Sequence, residues 1–405
     1  MTPSISISKT SKWPCLLLLL CLALPAHAQL VMPNSGATAT YSGQIRTLNS
    51  RYYQIQTDLS DWAAKQVGEH LDAVSAAYAA RFSKFPVRNN SLAPLYLFAS
   101  RQDYLAFLQE RGINGDNTGG MYFRSGERSG LVGWVENKNR EKVLSVLRHE
   151  AFHQFTYERL GLRLPKWLNE GLATYFEDGI VGRNEIVTGL VSAQRLHKVQ
   201  QDIRSNNCIP FEQLWNAQSS EWSQVVREDR QTASAIYNQS WAIVQFLIHG
   251  ADGKYVGAFE NYFQRIGQGE APAAAFRSAF RLNSPAQLQD EWVRYMQGLG
   301  PDSLSLALEE MRNLAPGMEL LHSEGIHVNT VDQLYAALIR YRIPHVPANK
   351  SVFGQDRNLS LRLKSAAEPG LPPDLVAGYG SQTVRLRWVV NQNGDPEPDI
   401  VAGAN

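Results

Sequence analysis

Apolar and polar positions alternate over residues 43–57 (Ile45, Leu48, Tyr52, Tyr53, Ile55), which predicts one or two strands. From Asp58 to Phe82 the period lengthens. Trp62, Ala63, Val67, Leu71, Val74, Ala77 and Tyr78 fall on one helical face, with Asp58 or Ser60 available as cap. Residues 95–98 read as a short buried strand, and Ser100 as the cap of a helix that turns Tyr104, Leu105 and Leu108 to one side. The apolar runs 119–123 and 131–135 flank a polar, glycine-bearing segment and predict a hairpin. A strand–helix–strand start followed by an antiparallel pair implies a mixed sheet backed by helices.

Helical patterns then take over, at 140–160, 165–177, 187–203, weakly at 222–227, and at 232–248, 254–267, 270–281 and 285–297. After the break at 298–301 come two or three short helices over 302–342, including 331–341. Prolines and glycines dominate beyond, around two alternating runs at 359–363 and 384–390, and the last ten residues, with Pro396 and Pro398, are expected to fray. The fold class is therefore α+β: a small mixed sheet, a mostly helical second half, and a small β-containing C-terminal appendage. The expected divisions are residues 29–300, a helical extension over 301–345, and 346–405.

The first 28 residues change the picture of the chain's surroundings. Lys9 and Lys12 precede an apolar run over 16–24, and Pro25-Ala26-His27-Ala28 closes it, so a signal peptide cleaved before Gln29 is expected. The run is short for a membrane span. The protein is accordingly expected in the periplasm or secreted from a bacterial cell, without stable membrane insertion. The whole chain has 39 Lys+Arg against 38 Asp+Glu; losing Lys9 and Lys12 leaves 37 − 38 = −1. That balance, without a basic tract, argues against a nucleic-acid partner. Cys15 and Cys21 leave with the signal, so Cys208 stays alone and no internal disulfide forms.

The chemistry concentrates in Leu147-Arg148-His149-Glu150-Ala151-Phe152-His153. Histidines four apart stand one above the other on a helix, and both rings reach one tetrahedral ion. Glu150 sits at the edge of that face, placed to take a proton from a zinc-activated water. A catalytic zinc site takes three protein ligands and leaves a position open. Glu170, 17 residues after His153 in Lys166-Trp167-Leu168-Asn169-Glu170-Gly171, supplies the third, with Glu177, two turns on, as its rival. Gly171 is expected to let the two ligand helices approach closely. Thr174 is a candidate for orienting a histidine, or else a core hydroxyl. His249 reads as a helix-end residue, and the remaining histidines have no ligand-like spacing.

His149-Glu150-x-x-His153 followed by Trp167-Leu168-Asn169-Glu170-Gly171-Leu172-Ala173 resembles the gluzincin branch of zinc metallopeptidases, the peptidase MA-like group, and in particular uncharacterised secreted bacterial proteins of that kind. The resemblance spans roughly residues 90–290. It implies a zincin-like catalytic domain, one Zn2+ held by His149, His153 and Glu170, Glu150 as general base, and a peptide or protein substrate. It also matches Tyr237 to a tyrosine that stabilises the oxyanion; a buried tyrosine with its hydroxyl paired is the alternative. Aminopeptidase-type relatives carry an acid after the methionine of their edge strand, whereas Gly119-Gly120-Met121-Tyr122-Phe123 has none, so an endopeptidase is expected. The edge strand is expected to take an extended peptide, with Tyr122 and Phe123 facing opposite sides. A metal-binding scaffold or peptide-binding protein with a weakly active fold is the other reading.

Overall fold

The computed structural model describes residues 43–85, 89–116, 118–126, 128–161, 164–182, 186–217, 230–343, 360–379, 382–391 and 394–403. The expected signal peptide, the leader and the weak helix at 222–227 lie outside them. Strands β1 (Arg46–Asn49), β2 (Tyr53–Thr57), β3 (Ala93–Phe98), β4 (Gly120–Ser125) and β5 (Arg128–Trp134) form one sheet in the order β1-β2-β3-β5-β4. The three central strands are parallel and both outer strands antiparallel to their neighbours. This is the mixed sheet that the pattern implied.

The register explains how the sheet is covered. Ile55, Leu95 and Leu131 stand side by side on one face. They pack against Leu71 and Val74 of α1 (Asp61–Arg81) and Leu144 and Leu147 of α3 (Arg140–Gln154). One residue along, Tyr96 and Val132 turn to the other face and meet Tyr104, Phe107 and Leu108 of α2 (Arg101–Gln109). Ser60 caps α1 through Ala63 N, while Asp58 instead accepts from Ala99 N at 2.7 Å and ties β3 to the start of α1. Ser100 caps α2 and Asn139 caps α3.

The long helix expected over 140–160 is not continuous. After Gln154 the backbone widens into a π turn, Phe155–Arg159, with the Thr156 hydroxyl bonded back to the carbonyls of Phe152 (3.0 Å) and His153 (3.1 Å). Helix α4 (Lys166–Glu177) follows. Short strands β6 (Ile180–Val181) and β7 (Ile186–Val187) pair next. The helix expected from 187 begins only at α5 (Ala193–Arg204). Gly189 has φ +82°, and a Cβ there would lie 2.7 Å from the His249 ring, so the chain turns before Ser192 caps the helix.

Then come α6 (Phe211–Asn216), α7 (Arg230–His249), α8 (Val256–Gly267), α9 (Pro272–Phe280) and α10 (Ala286–Gly298). Trp167 stacks on Trp215 at 3.8 Å, and Trp241 and Trp292 are fully buried, so the helical half shares its core with the sheet face under α1 and α3.

The C-terminal quarter departs most from expectation. Residues 302–342 form one 21-residue helix, α11 (Ser303–Ser323), and α12 (Val331–Arg340). Pro316 lies inside α11 at a cost in backbone bonding, and buried Leu314, Ala315, Gly317, Met318 and Leu321 hold the helix together across it. Four strands follow: β8 (Ser360–Lys364), β9 (Asp374–Tyr379), β10 (Gln382–Val390) and β11 (Pro396–Ala402), in the order β11-β10-β9-β8. Only β8 and β10 were anticipated. The segment expected to fray is β11; its prolines are tolerated because it is an edge strand, where a missing N–H need not leave a partner unpaired. Leu308, Met311, Leu334 and Leu386 belong to one apolar cluster, so the helical extension and the β region, separate in the sequence reading, share a core.

Candidate metal centre

Helix α3 buries Val143, Leu144, Leu147, Ala151 and Phe152, which turns His149 and His153 toward α4. Their rings are nearly perpendicular (83°) with centroids 4.9 Å apart. Glu170 enters from α4. One of its carboxylate oxygens lies 3.4 Å from His149 Nε2 and 3.3 Å from His153 Nε2. One ligand atom from each of the three residues falls within 4.8 Å of the others.

These separations suit a metal ion. Ligand bonds of about 2.0–2.1 Å at tetrahedral angles put donor atoms about 3.3–3.4 Å apart. An imidazole nitrogen facing a carboxylate oxygen at this range also needs positive charge between them, either a proton or a cation. Without the cation, burial would lower the His149 pKa, but Glu170 and Glu177 reverse that and hold it well above the ordinary imidazole range. Burial would raise Glu170, and the two imidazoles hold it far below the usual carboxylate range instead.

Glu177 has a different place from the one its rivalry with Glu170 suggested. Its carboxylate lies 3.1 Å from His149 Nδ1, on the far side of the ring from Glu170. It thus orients the imidazole, the role for which Thr174 was a candidate. Ser145 Oγ donates to the other Glu177 oxygen at 3.2 Å, and His149 outweighs burial to bring the carboxyl down to about 2. Beneath it, buried Arg148 donates from Nε (3.2 Å) and Nη2 (2.8 Å) to the Glu177 carbonyl, placing a cation at the negative end of α4. The His153 Nδ1 is buried with no hydrogen-bond partner among the described residues, so only one of the two rings has a carboxylate behind it.

Gly171 does permit a close approach, but to α7 rather than α3. A Cβ there would stand 2.5 Å from the Ser240 carbonyl oxygen. That contact brings α7 against the site and sets Tyr237 beside it, its ring 6.3 Å from the His149 ring at 76°. Arg195 of α5 braces the same junction, donating to both Asp178 oxygens (2.9 and 3.1 Å) and to Asn238 (2.9 Å). His249 lies away from the site, bonded to the Tyr175 hydroxyl at 2.9 Å.

Glu150 reaches the sheet. Its carboxylate accepts the Tyr122 backbone N–H at 2.7 Å, so the outer edge of β4 meets the face of α3 beside the two histidines. Burial pushes the Glu150 pKa up, while the imidazoles and the Tyr122 N–H pull the other way without cancelling it. Phe123 is buried among Tyr96, Phe98 and Phe107, and Tyr122 faces the opposite side, its ring 6.2 Å from that of Tyr157. Lys138 pins the start of the strand, donating to the carbonyls of Gly119 (2.7 Å) and Trp134 (2.9 Å).

The π turn, and the placing of Glu177 behind His149 rather than in the cluster, are what sequence reasoning missed. Glu177 had a visible signal, its seven-residue spacing from Glu170. The π turn had none, since its residues continue the helical pattern.

Among the described residues no helix is long and apolar enough to cross a membrane. No curated protein matches the chain. Residues 143–266, from α3 to the end of α8, match a family described as a protein of unknown function (DUF1570), a stretch that holds His149, Glu150, His153, Glu170, Glu177 and Tyr237.

Proposed function

We propose that the protein is a zinc-dependent peptidase, an endopeptidase that acts after export from a bacterial cell. The observation that carries this reading is the convergence of His149, His153 and Glu170, at separations of 3.3 and 3.4 Å, beside a Glu150 that is not part of the cluster. A purely structural zinc site has four protein ligands and no use for a neighbouring base. The cluster offers three.

When bound, zinc supplies a Lewis acid that polarises a carbonyl and makes water more acidic. The rest falls to the chain. Glu177 holds the proton of His149 on Nδ1, which would leave the Nε2 lone pair available to a metal ion held jointly with His153 and Glu170. Glu150 takes the proton of the attacking water and passes it to the leaving amine. The Tyr122 N–H holds that carboxylate in place. Tyr237, beside His149, donates to the carbonyl oxygen as charge builds on it. The edge of β4 receives the substrate backbone by strand addition.

The test is peptide-library cleavage by purified protein lacking residues 1–28, with and without chelator, beside Glu150→Gln. Zinc-dependent cleavage that drops about 100-fold or more in a variant that still binds one zinc supports the reading. Cleavage indifferent to both chelator and variant rejects it.

A further inference from the structure

We propose that Arg124 determines specificity along the edge of β4, selecting peptides with a carboxylate two residues from the bond that is cut, an Asp or Glu side chain or the peptide's own C-terminus. This rests on the peptidase reading above. The placement comes from β4. The Tyr122 N–H marks the level of Glu150 along the edge strand. Arg124 is two residues further, on the same face of the sheet as Tyr122 and about 7 Å along the strand. A peptide laid beside β4 in extended form therefore brings a residue two positions from the scissile bond to Arg124.

Arg124 is exposed, yet it is held. Its guanidinium lies 3.9 Å from the centre of the Tyr157 ring, which itself neighbours the Tyr122 ring. Stacking on an aromatic face fixes the guanidinium plane and leaves its N–H groups free to fork a carboxylate. Tyr157 is in place because of the π turn. A continuous α-helix from His153 would carry residue 157 round to a different heading, and π turns recur where function demands an irregular helix.

The charge is also left unanswered by the protein. Some arginines of the described surface are in ion pairs, such as Arg46 with Asp61 and Arg312 with Glu141, while others, such as Arg277, Arg281 and Arg340, are not; what sets Arg124 apart is its place along β4, two residues from Tyr122. Arg124 has no carboxylate in ion-pair range among the described residues. Glu158, next to Tyr157, accepts from the Ser129 hydroxyl at 2.5 Å and forms no ion pair with Arg124. A stacked arginine without a counter-ion, set along a substrate strand, is built for an anionic group that arrives with the ligand.

The experiment uses matched peptides carrying Glu or Gln at each scanned position, each with a free or an amidated C-terminus. Zinc-loaded wild type and Arg124→Gln are compared by kcat/KM, and the zinc-loaded Glu150→Gln protein, with and without Arg124→Gln, by peptide affinity. The wild type should favour one carboxylate position by about tenfold. Arg124→Gln should erase that preference, and Arg124→Glu should turn it toward Lys. The free and amidated arms tell a side chain from a chain end. An acidic preference of equal size in wild type and Arg124→Gln, or none in either, overturns the proposal. If the wild type cleaves no peptide the peptidase reading falls. The affinity comparison then decides the Arg124 assignment alone: it stands if acidic peptides bind tighter only when Arg124 is present, and falls otherwise.

Discussion

His149 is gripped from both ends: Glu177 lies 3.1 Å from Nδ1, and Glu170, seven residues earlier on the same helix, lies 3.4 Å from Nε2. One helix thus carries both a candidate ligand and the group that orients its neighbouring ligand. Removing the Glu177 carboxylate should weaken zinc binding without removing a ligand. Glu177→Ala is expected to lower zinc affinity by about 10–100-fold, and Glu177→Gln, which keeps an acceptor for the Nδ1 proton, by less. Competition against a chromophoric chelator measures both. Equal affinities for wild type and Glu177→Ala would leave Glu177 without this role.

Gly171 ties stability to the same site. A methyl group 2.5 Å from the Ser240 carbonyl oxygen meets backbone, which cannot swing aside as a side chain would. Gly171→Ala should therefore cost about 1–3 kcal/mol by overpacking, despite alanine's better helix propensity. Because α4 also bears Glu170 and Glu177, zinc affinity should fall along with the midpoint of thermal unfolding. A variant as stable as wild type would show that α4 and α7 have room to part.

His70 gives the fold a pH dependence of its own. Burial lowers its pKa well below 6.5, and the Arg148 and Arg140 charges add to the effect; Arg148 Nη1 lies 3.3 Å from its Nε2. The folded protein thus keeps the ring neutral while the unfolded chain takes up a proton near pH 6.5. The native state has the full benefit above that pH and loses it as pH falls toward the folded pKa, at a slope of up to about 1.4 kcal/mol per pH unit. In His70→Gln this component is absent. Unfolding free energies between pH 7 and 5 should fall less steeply for the variant, and parallel curves would contradict the assignment.

The C-terminal sheet also reaches the helix that carries His149 and His153. Arg140, in the first turn of α3, lies 3.3 Å from Asp399 of β11, which Arg387 of β10 joins at 2.8 Å. The segment with the least regular composition is thereby fastened to the element with the most chemistry.

Local pattern was enough for what is local. The helical period over α1, the cap at Ser100, and the four-residue spacing of His149 and His153 depend on neighbours within a turn or two and were readable in the chain, while the choice of Ser60 over Asp58 as the cap of α1 was not. Glu170 was readable too, because one short loop between two helices leaves few ways to place its carboxylate. Tertiary structure decided the rest. That Glu177 orients His149 depends on how α4 lies across α3, and that Gly171 faces α7 depends on a contact some seventy residues away in sequence. The π turn offsets Tyr157 by packing that periodicity does not encode, and β11 is a strand because β10 lies beside it. Spacing along one helix is a property of the backbone repeat; which face meets which partner is settled only when distant segments exclude water together.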